Sequence, residues 1–321
     1  MNTLFEVAVG VVCVTTVLVA VTFVAEFDQW RIVAWLQTPL VLWIPISLAA
    51  TLIALSAGEY PIAVLLGIAS AIFIMRLAPL LRSTLAPAAH GSVTPIRVAH
   101  GNLLYLNDRH TEVIRTLTVL RADVIALCEV TDAWDHAIAQ HHEFSALYPH
   151  RIVATADHAD GIAVYSKFEI ISHQVTPMVT KNAVVATLDH PTTPFQVVTP
   201  HPMPPVSRLK TRDWRPSIEL IRESISEATP ALLIGDLNAA HWHPTLRRLT
   251  KGRALRHIRA GRRGRWAGGL SPSWRPHRKL PKLVRLDHAW TNCGMSATHV
   301  SSFSIPGSDH DGLLIEVVFS S

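Results

Sequence analysis

Residues 232–244 read LLIGDLNAAHWHP, and the fold and its chemistry depend on how this stretch is interpreted. An apolar run typical of a buried strand stops at Gly-Asp-Leu-Asn, and two histidines follow around a tryptophan. Gly, Asp and Asn are common turn formers, so an ordinary loop would explain the stretch by itself. The alternative is that a rigid strand holds a carboxylate and an amide, Asp236 and Asn238, at a reaction centre.

The rest of the chain after Ile96 favours the second interpretation. Short runs rich in Val and Ile alternate with helical patterns, which predicts a mixed α/β domain of two packed β-sheets with helices outside. Polar side chains recur where the apolar runs stop: Asn102, Glu129, His201, Asp236 with Asn238, Asp287 with His288, and Asp309 with His310. One such residue is typical of a turn, but acids, amides and histidines at six strand ends predict a common site.

The first part of the chain has a different character. Only 17% of the 321 residues are charged, below the quarter that is usual in soluble proteins. Three apolar runs, Leu4–Phe27, Ile32–Ala57 and Pro61–Leu81, approach or exceed the roughly 20 residues that a membrane-spanning helix needs. They predict three transmembrane helices. A cleaved signal peptide is disfavoured because Lys and Arg are missing from the N-terminus and further apolar runs follow.

These differences divide the chain into three parts. We predict a membrane domain over residues 1–83, a linker over 84–95 that is rich in Pro, Ala, Gly and Ser, and a catalytic domain over 96–321. Arg31, Arg76 and Arg82 lie on the side of the membrane where the catalytic domain emerges, so the positive-inside rule predicts a cytoplasmic domain. The three cysteines have no spacing typical of a disulfide framework or a zinc site.

A basic segment, residues 247–285, carries fourteen Lys and Arg residues and no acid, with Trp266 and Trp274 among them. It could bind a nucleic-acid backbone, lie on anionic lipid headgroups, or form a solvated basic face. The preceding apolar runs favour the lipid interpretation, in which the positive charge attracts a phosphorylated lipid. Arg265, Trp274 and Arg275 are the candidate substrate-binding residues in this segment.

The polar strand ends, with the sequence around them, resemble a known family. The stretches that carry the resemblance are HGNLLYLN (100–107), ADVIALCEV (122–130), DGIAVYSKFEI (160–170), VVTPHPMPP (197–205), LLIGDLNAA (232–240), VRLDHAWTN (284–292) and GSDHDGLLIEV (307–317). They resemble the endonuclease/exonuclease/phosphatase superfamily, which includes DNase I-like nucleases, neutral sphingomyelinases and inositol polyphosphate phosphatases. Cys128 stands where the family commonly has Gln, and His288 where a hydrophobic residue is frequent.

The resemblance implies a DNase I-like fold, a β-sandwich of two sheets flanked by helices. With the preceding spans and the HPMPP stretch, it extends to a membrane-anchored bacterial branch that includes the teicoplanin-resistance membrane proteins of actinomycetes. That branch implies a catalytic domain on the outside of the cell membrane, opposite to the charge rule, and we adopt this placement. It also implies a phosphorylated membrane lipid as substrate, such as a polyprenyl phosphate or pyrophosphate carrier.

The resemblance and the chemistry of phosphate esters assign roles to the polar residues. Asn102, Glu129 and Asp309 are the expected ligands of Mg²⁺, with Mn²⁺ as the alternative ion, because Mg²⁺ favours oxygen ligands. His310 is the expected general base, since imidazole titrates near neutral pH, and Asp287 is expected to orient it.

Three further residues are expected to contact water or phosphate. Asp236 is expected to help align or deprotonate the attacking water, and Asn238 to donate to a phosphoryl oxygen. His201 is expected to donate to the phosphate or, if it is charged, to protonate the leaving group. His241 and His243 are interpreted as local structure or substrate contacts rather than metal ligands.

We therefore predict a membrane-anchored, Mg²⁺-dependent phosphohydrolase. A membrane-tethered nuclease and a sphingomyelinase-like phosphodiesterase are the alternatives, although the tether disfavours nucleic acid as the partner. A third possibility is a lipid-binding scaffold with a vestigial site, against which the intact set of polar residues argues.

Overall fold

The computed structural model describes residues 3–87, 94–179, 181–260, 271–277 and 279–320. The helices are α1 Thr3–Val24, α2 Arg31–Gln37, α3 Leu40–Ser56, α4 Tyr60–Leu77, α5 His110–Val119, α6 Asp132–Gln140, α7 His142–Leu147, α8 Arg208–Ser224 and α9 Pro244–Arg247. The strands are β1 Ile96–Asn102, β2 Val124–Cys128, β3 His150–Ala154, β4 Ile162–Ser166, β5 Glu169–Met178, β6 Lys181–Asp189, β7 Phe195–Pro200, β8 Ala231–Asp236, β9 Arg256–His257, β10 Asp287–Thr291, β11 Met295–Ser304 and β12 Asp311–Phe319.

The strands form two six-stranded sheets. The first has the order β11-β12-β1-β2-β4-β3 and the second the order β5-β6-β7-β8-β10-β9. In each sheet one central pair is parallel, β1 with β2 and β7 with β8, and the remaining pairs are antiparallel. The predicted fold class, two mixed sheets flanked by helices, is therefore confirmed.

The core lies between the sheets. Val98, Val124 and Val164 of the first sheet belong to one buried cluster with Val197 and Ile234 of the second, as expected for two sheets whose inner faces interdigitate. The outer face of the first sheet packs against α5, α6 and α7, and the outer face of the second packs against α8. Both sheets are covered, which explains why β2, β4 and β8 read as nearly continuous apolar runs.

The prediction of the GDLN stretch needs one correction. We expected the strand to end at Gly235, but β8 continues through Asp236. A Cβ atom at residue 235 would lie 2.3 Å from the carbonyl oxygen of Pro200. Gly235 therefore allows the ends of β7 and β8 to approach each other, rather than forming a turn.

The N-terminal helices support the membrane prediction only in part. The segment Tyr60–Leu81, 22 residues long, is the one described helix that is long and apolar enough to cross a membrane by itself. The second predicted span is broken, because α2 and α3 meet at a bend of 75°. Pro39, at the start of α3, has no N–H to continue the hydrogen-bond ladder. In the first predicted span, α1 runs from Thr3 to Val24, and Val9–Val24 is its fully described apolar part.

These helices contact the catalytic domain directly. The buried carboxylate of Asp28 accepts hydrogen bonds of 2.7 Å from both the backbone N–H and the hydroxyl of Thr245. Trp242 donates to the carbonyl of Gln37 over 2.8 Å, and His243 lies 3.1 Å from the carbonyl of Ala34. The helical part is thus attached to the segment that follows Asp236 and Asn238.

The start of the predicted linker is also attached to the catalytic domain. The N–H of Thr84 donates to the carbonyl of Arg259 over 3.0 Å, and the N–H of Ala86 donates to the carbonyl of Ala297 over 2.8 Å. The remainder of the linker, residues 88–93, lies outside the described residues.

Candidate active site

The two sheets bring the polar strand ends together at one edge. The parallel pairs end there, which places Asn102 and Glu129 in the first sheet near His201 and Asp236 in the second. The antiparallel neighbours β10 and β12 begin at the same edge. Their starts bring in Asp287, the partner of Asp236 in the register, and His310.

Asn102 joins the acids of the two sheets. Its amide nitrogen donates to Glu129 and to Asp236, both over 3.0 Å. The second oxygen of Glu129 accepts from the backbone N–H of Tyr105, also over 3.0 Å. Glu129 has a φ of 63°, in the left-handed region that is rare for residues with a side chain. Backbone strain of this kind is concentrated at functional sites, and here it accompanies the acid that we expected to bind the metal.

Asp287 forms a second group with two histidines and a serine. Its carboxylate lies 2.8 Å from Nδ1 of His310 and 3.0 Å from Nε2 of His100, and it accepts a 2.6 Å hydrogen bond from the hydroxyl of Ser273. All four residues are buried. The contact with Asp287 fixes the orientation of His310, whose Nε2 lies 3.6 Å from Asp236.

His201 lies between the acids and a buried lysine. Its Nε2 is 3.6 Å from Asp236 and 3.9 Å from Glu129, and its ring contacts Nζ of Lys181 at 3.3 Å. Lys181 also donates to the carbonyl of Ala159 over 2.7 Å. Burial lowers the pKa of Lys181, while the charges of Glu129 and Asp236 oppose this shift. In its charged form this ammonium group can attract a phosphate to the edge.

Burial and neighbouring charges shift the pKa values of these groups in opposite directions. Burial raises the pKa of Asp236 to about 6. Burial alone would lower the pKa of His310, but the carboxylates of Asp287 and Asp236 raise it to about 10. Burial and then Lys181 lower the pKa of His201 well below its usual value. Hence His310 is charged and His201 is neutral at pH 7. A charged His310 does not fit the expected role of general base, and a neutral His201 can donate one hydrogen bond to a phosphate but cannot protonate a leaving group.

The remaining expected residues lie close to this edge. The amide nitrogen of Asn238 donates to the carbonyl of Pro202 over 2.9 Å, and its backbone N–H donates to Asp236 over 2.8 Å. The carboxylate of Asp309 accepts from the indole of Trp274 over 3.0 Å. Arg275 donates through its backbone N–H to the carbonyl of Asp309 and through its side chain to that of Ser308. Arg265 lies outside the described residues.

The acids at this edge fit a divalent cation. Glu129 and Asp236 approach the same amide nitrogen of Asn102 from opposite sheets, so oxygen ligands converge on a small volume. Among the described residues, Asp236, Asp287 and His310 also place one ligand atom each within 4.8 Å of one another. Asp287 is the weakest candidate in this set, because protein donors already occupy both of its oxygens.

Other histidines near the site have structural contacts. Nδ1 of His243 accepts from the N–H of Ala240 over 2.9 Å, and its ring packs edge-on against Trp214. His241 lies against the ring of His257, with 4.2 Å between the centroids. Nε2 of His288 lies 2.9 Å from the carbonyl of Ala239. These contacts agree with the structural interpretation of His241 and His243, and they give His288 a structural place that the sequence did not define.

Sequence reasoning missed three residues of this site: His100, Lys181 and Ser273. His100 precedes Asn102 by two residues, so the alternation of side chains in β1 places both on the same face, a signal that could have found it. Lys181 and Ser273 are isolated in the sequence and reach the site only through strand pairing and a loop.

Comparison with known proteins agrees with this geometry. A model of the endonuclease/exonuclease/phosphatase family matches residues 97–310, a range that contains every described residue of the site. Comparison with curated protein sequences finds no significant match. A humanized TDP2 from D. rerio has a similar fold, with a TM-score of 0.58, 12% identity, and coverage of 70% of this chain and 99% of that chain.

Two further solved structures share the fold. An endonuclease/exonuclease/phosphatase from Beutenbergia cavernae gives a TM-score of 0.58 at 16% identity and covers 71% of this chain and 72% of that chain. The human Nocturnin catalytic domain gives a TM-score of 0.51 at 18% identity and covers 70% of this chain and 95% of that chain. The chain belongs to the endonuclease/exonuclease/phosphatase family, whose members are hydrolases of the nuclease and phosphatase type.

Proposed function

We propose that the protein is a membrane-anchored, Mg²⁺-dependent phosphohydrolase that cleaves a phosphate or pyrophosphate ester of a membrane lipid. The observation that carries the proposal is the direct attachment of the catalytic edge to the apolar helices through Asp28, Trp242 and His243. A site held at the end of apolar helices is positioned for a substrate whose phosphate lies at a membrane surface.

A bound Mg²⁺ would neutralise phosphate charge and favour the attack of water on phosphorus. The family is typically dependent on divalent metals, and the carboxylate of Glu129, with Asn102 beside it, is the group that would hold the ion. Asp309 is a further ligand in the proposal, directly or through water. Mn²⁺ is the alternative ion because it accepts similar ligands.

The protein groups supply proton transfer and phosphate binding. Asp236 aligns the attacking water and accepts its proton, and the adjacent His310, oriented by Asp287, stabilises the carboxylate before that transfer. Lys181 attracts the phosphate, while Asn238 and His201 donate to its oxygens. Asp236 thus takes the proton of the water, one of the two roles expected for it, and His310 stabilises its carboxylate instead of acting as the general base.

The membrane placement is part of the same proposal. We propose three passes, with α2 and α3 together forming the broken second pass, and a catalytic domain outside the cell. Protease digestion of intact cells tests the placement, because an outward domain is cleaved without lysis. Protection of the domain until lysis would favour the cytoplasmic placement that the arginines suggest.

A membrane-tethered nuclease or phosphodiesterase is the alternative, and the basic segment favours it. Trp274 and Arg275 of that segment lie against Asp309 at the site. To separate the two functions, purified full-length protein is incubated with Mg²⁺ and either polyprenyl pyrophosphate, phospholipid or plasmid DNA. Phosphate release from polyprenyl pyrophosphate with intact plasmid supports the proposal, whereas plasmid nicking without lipid hydrolysis would overturn it.

A further inference from the structure

A groove of about 1070 Å³ lies beside α8, outside the candidate active site. One wall carries three arginines of α8, Arg208, Arg212 and Arg215, and the loop before α2 contributes Trp30 to the other. We call it the arginine groove. The arginines are spaced at i, i+4 and i+7, so they lie on one face of the helix.

The groove is positively charged beside the N-terminal half of α8. Glu219 and Glu223 also line it, but they lie in the C-terminal half of α8, whereas the arginines lie in the N-terminal half. Arg212 contacts its neighbour Asp213 at 3.1 Å. Arg208 and Arg215 have no ion pair in the described part of the chain, so two guanidinium groups remain available to an anion.

The groove also exposes apolar side chains, which is unusual beside arginines on a water-facing surface. Trp30 is 70% exposed and Leu209 is 65% exposed, and both line the groove. Ile32 and Trp35 of the adjacent α2 are exposed too, and the indole of Trp35 donates to the carbonyl of Pro205 over 3.0 Å. Tryptophans beside arginines are typical of the boundary between headgroups and acyl chains.

The position of the groove agrees with such a boundary. Trp30 follows the end of the apolar α1 by six residues, at Val24. The end of α4 lies on the same side, since Arg76 contacts Glu26 at 3.2 Å. The ends of both apolar helices therefore lie at the level of the groove.

We propose that the arginine groove binds the phosphate headgroup of an anionic phospholipid, with Trp30 and Leu209 against its acyl chains. This site is separate from the catalytic edge. It rests on the proposed membrane attachment but not on the reaction, and it would fix the orientation of the catalytic domain on the bilayer.

Binding is measured with full-length protein in neutral detergent and a fluorescent phosphatidylglycerol, with phosphatidylcholine of the same acyl chains for comparison. The variant R208Q/R212Q/R215Q should bind phosphatidylglycerol on the order of tenfold to a hundredfold more weakly. The matched control is R109Q/R115Q/R121Q, which removes three exposed arginines on and beside α5, on the outer face of the other sheet. It should bind like the wild type.

Equal affinity of the wild type and the α8 variant would overturn the proposal, as would equal affinity for the two lipids. The second variant is W30F. Phosphatidylglycerol with brominated acyl chains should quench its tryptophan fluorescence less than that of the wild type, and unchanged quenching would also count against the proposal. The binding assay needs no turnover and is repeated with H310Q, so failure of the lipid site and failure of the proposed reaction give different results.

Discussion

Two groups of buried histidines lie on opposite faces of β10, and their charges differ because their neighbours differ. On the inner face, His310 contacts the Asp287 carboxylate, and its pKa is raised to about 10. On the outer face, burial and then the charge of Arg285 lower the pKa of His288 to about 3. Burial disfavours the protonated imidazole in both cases, so the charge of the neighbouring group decides whether a buried histidine is protonated.

The outer group is held by neutral contacts. Nε2 of His257 lies 3.2 Å from Nδ1 of His288, and His241 lies against His257. Burial, followed by Arg259 and Arg285, lowers the pKa of His241 to about 4. The outer histidines thus stabilise the end of the β8–β10–β9 sheet, whereas the inner ones face the acids of the site. This comparison predicts activity losses on one face and stability losses on the other.

The largest effect is expected for H310Q. This change removes the charged partner of Asp236 and Asp287 and should lower kcat by about 10³-fold, since acid–base groups contribute about 10²–10⁴-fold. The matched control is H288Q, which can still donate to the carbonyl of Ala239 and should keep activity within about threefold. Phosphate release by folded protein checks both, and a similar loss in the two variants would contradict the difference between the faces.

K181M should have the next largest effect. It keeps the length of the side chain but removes the buried charge beside His201, which should lower kcat/KM by about 10²-fold. The control K167M removes Lys167, which directly follows the end of β4 and contacts Asp123 away from the site. Steady-state kinetics with Mg²⁺ compares them; an unchanged kcat/KM in K181M would exclude a role in phosphate binding.

The outer group predicts how stability depends on pH. The folded protein keeps His288 and His241 unprotonated down to about pH 3 and 4, whereas in the unfolded chain both bind protons near pH 6.5. Their contribution to stability is therefore complete above pH 6.5 and is lost as the pH falls. In H288F the free energy of unfolding should fall less steeply with pH, with a slope smaller by about 1.4 kcal/mol per pH unit between pH 6 and 4.5.

Unfolding free energies of the wild type and H288F at several pH values check this prediction. The difference in slope is the readout, because H288F also changes packing at every pH. Parallel slopes would show that His288 is protonated in the folded state.

The smallest effect concerns the contact between the helices and the catalytic domain. D28N should weaken the two hydrogen bonds to Thr245 and lower the free energy of unfolding by about 1–3 kcal/mol. It should leave the Mg²⁺ dependence unchanged, since the hydrogen-bond partner of Asp28 is Thr245, which is not one of the proposed metal ligands. E26Q, which affects the ion pairs of the half-exposed Glu26 with Arg76 and Arg247, is the control and should cost less than about 1 kcal/mol. Equal losses in stability for D28N and E26Q would show that the buried contact between Asp28 and Thr245 stabilises the fold no more than the ion pairs of Glu26 do.

The sequence predicted the parts of the fold and site that depend on local patterns. Asp236, Asp287 and His310 follow or precede apolar runs, so their place at strand ends could be predicted. The antiparallel pairs β8–β10 and β1–β12 brought Asp287 and His310 to the edge where Asp236 lies. Lys181 begins a strand that is separated from His201 by twenty residues and reaches it only because β6 pairs with β7. Asp28 reaches Thr245 across 217 residues, a distance for which the chain carries no local pattern.

Local patterns also failed to predict one break in a helix and one whole strand. The second apolar run was continuous in composition, but Pro39 divides it into α2 and α3. Strand β11 was missed because its run of Ser, Thr and His lacks the apolar character of a buried strand. Its partner β12 supplies the pairing that composition did not indicate.

The release of phosphate from polyprenyl pyrophosphate tests the central claim most directly. Full-length wild-type protein and H310Q are compared in detergent with Mg²⁺ and with EDTA. The proposed site predicts release by the wild type with Mg²⁺, and release at least about 10²-fold lower with EDTA or in H310Q. Equal release with EDTA would contradict a metal-dependent reaction, and equal release by H310Q would contradict the role of His310 beside Asp236 and Asp287.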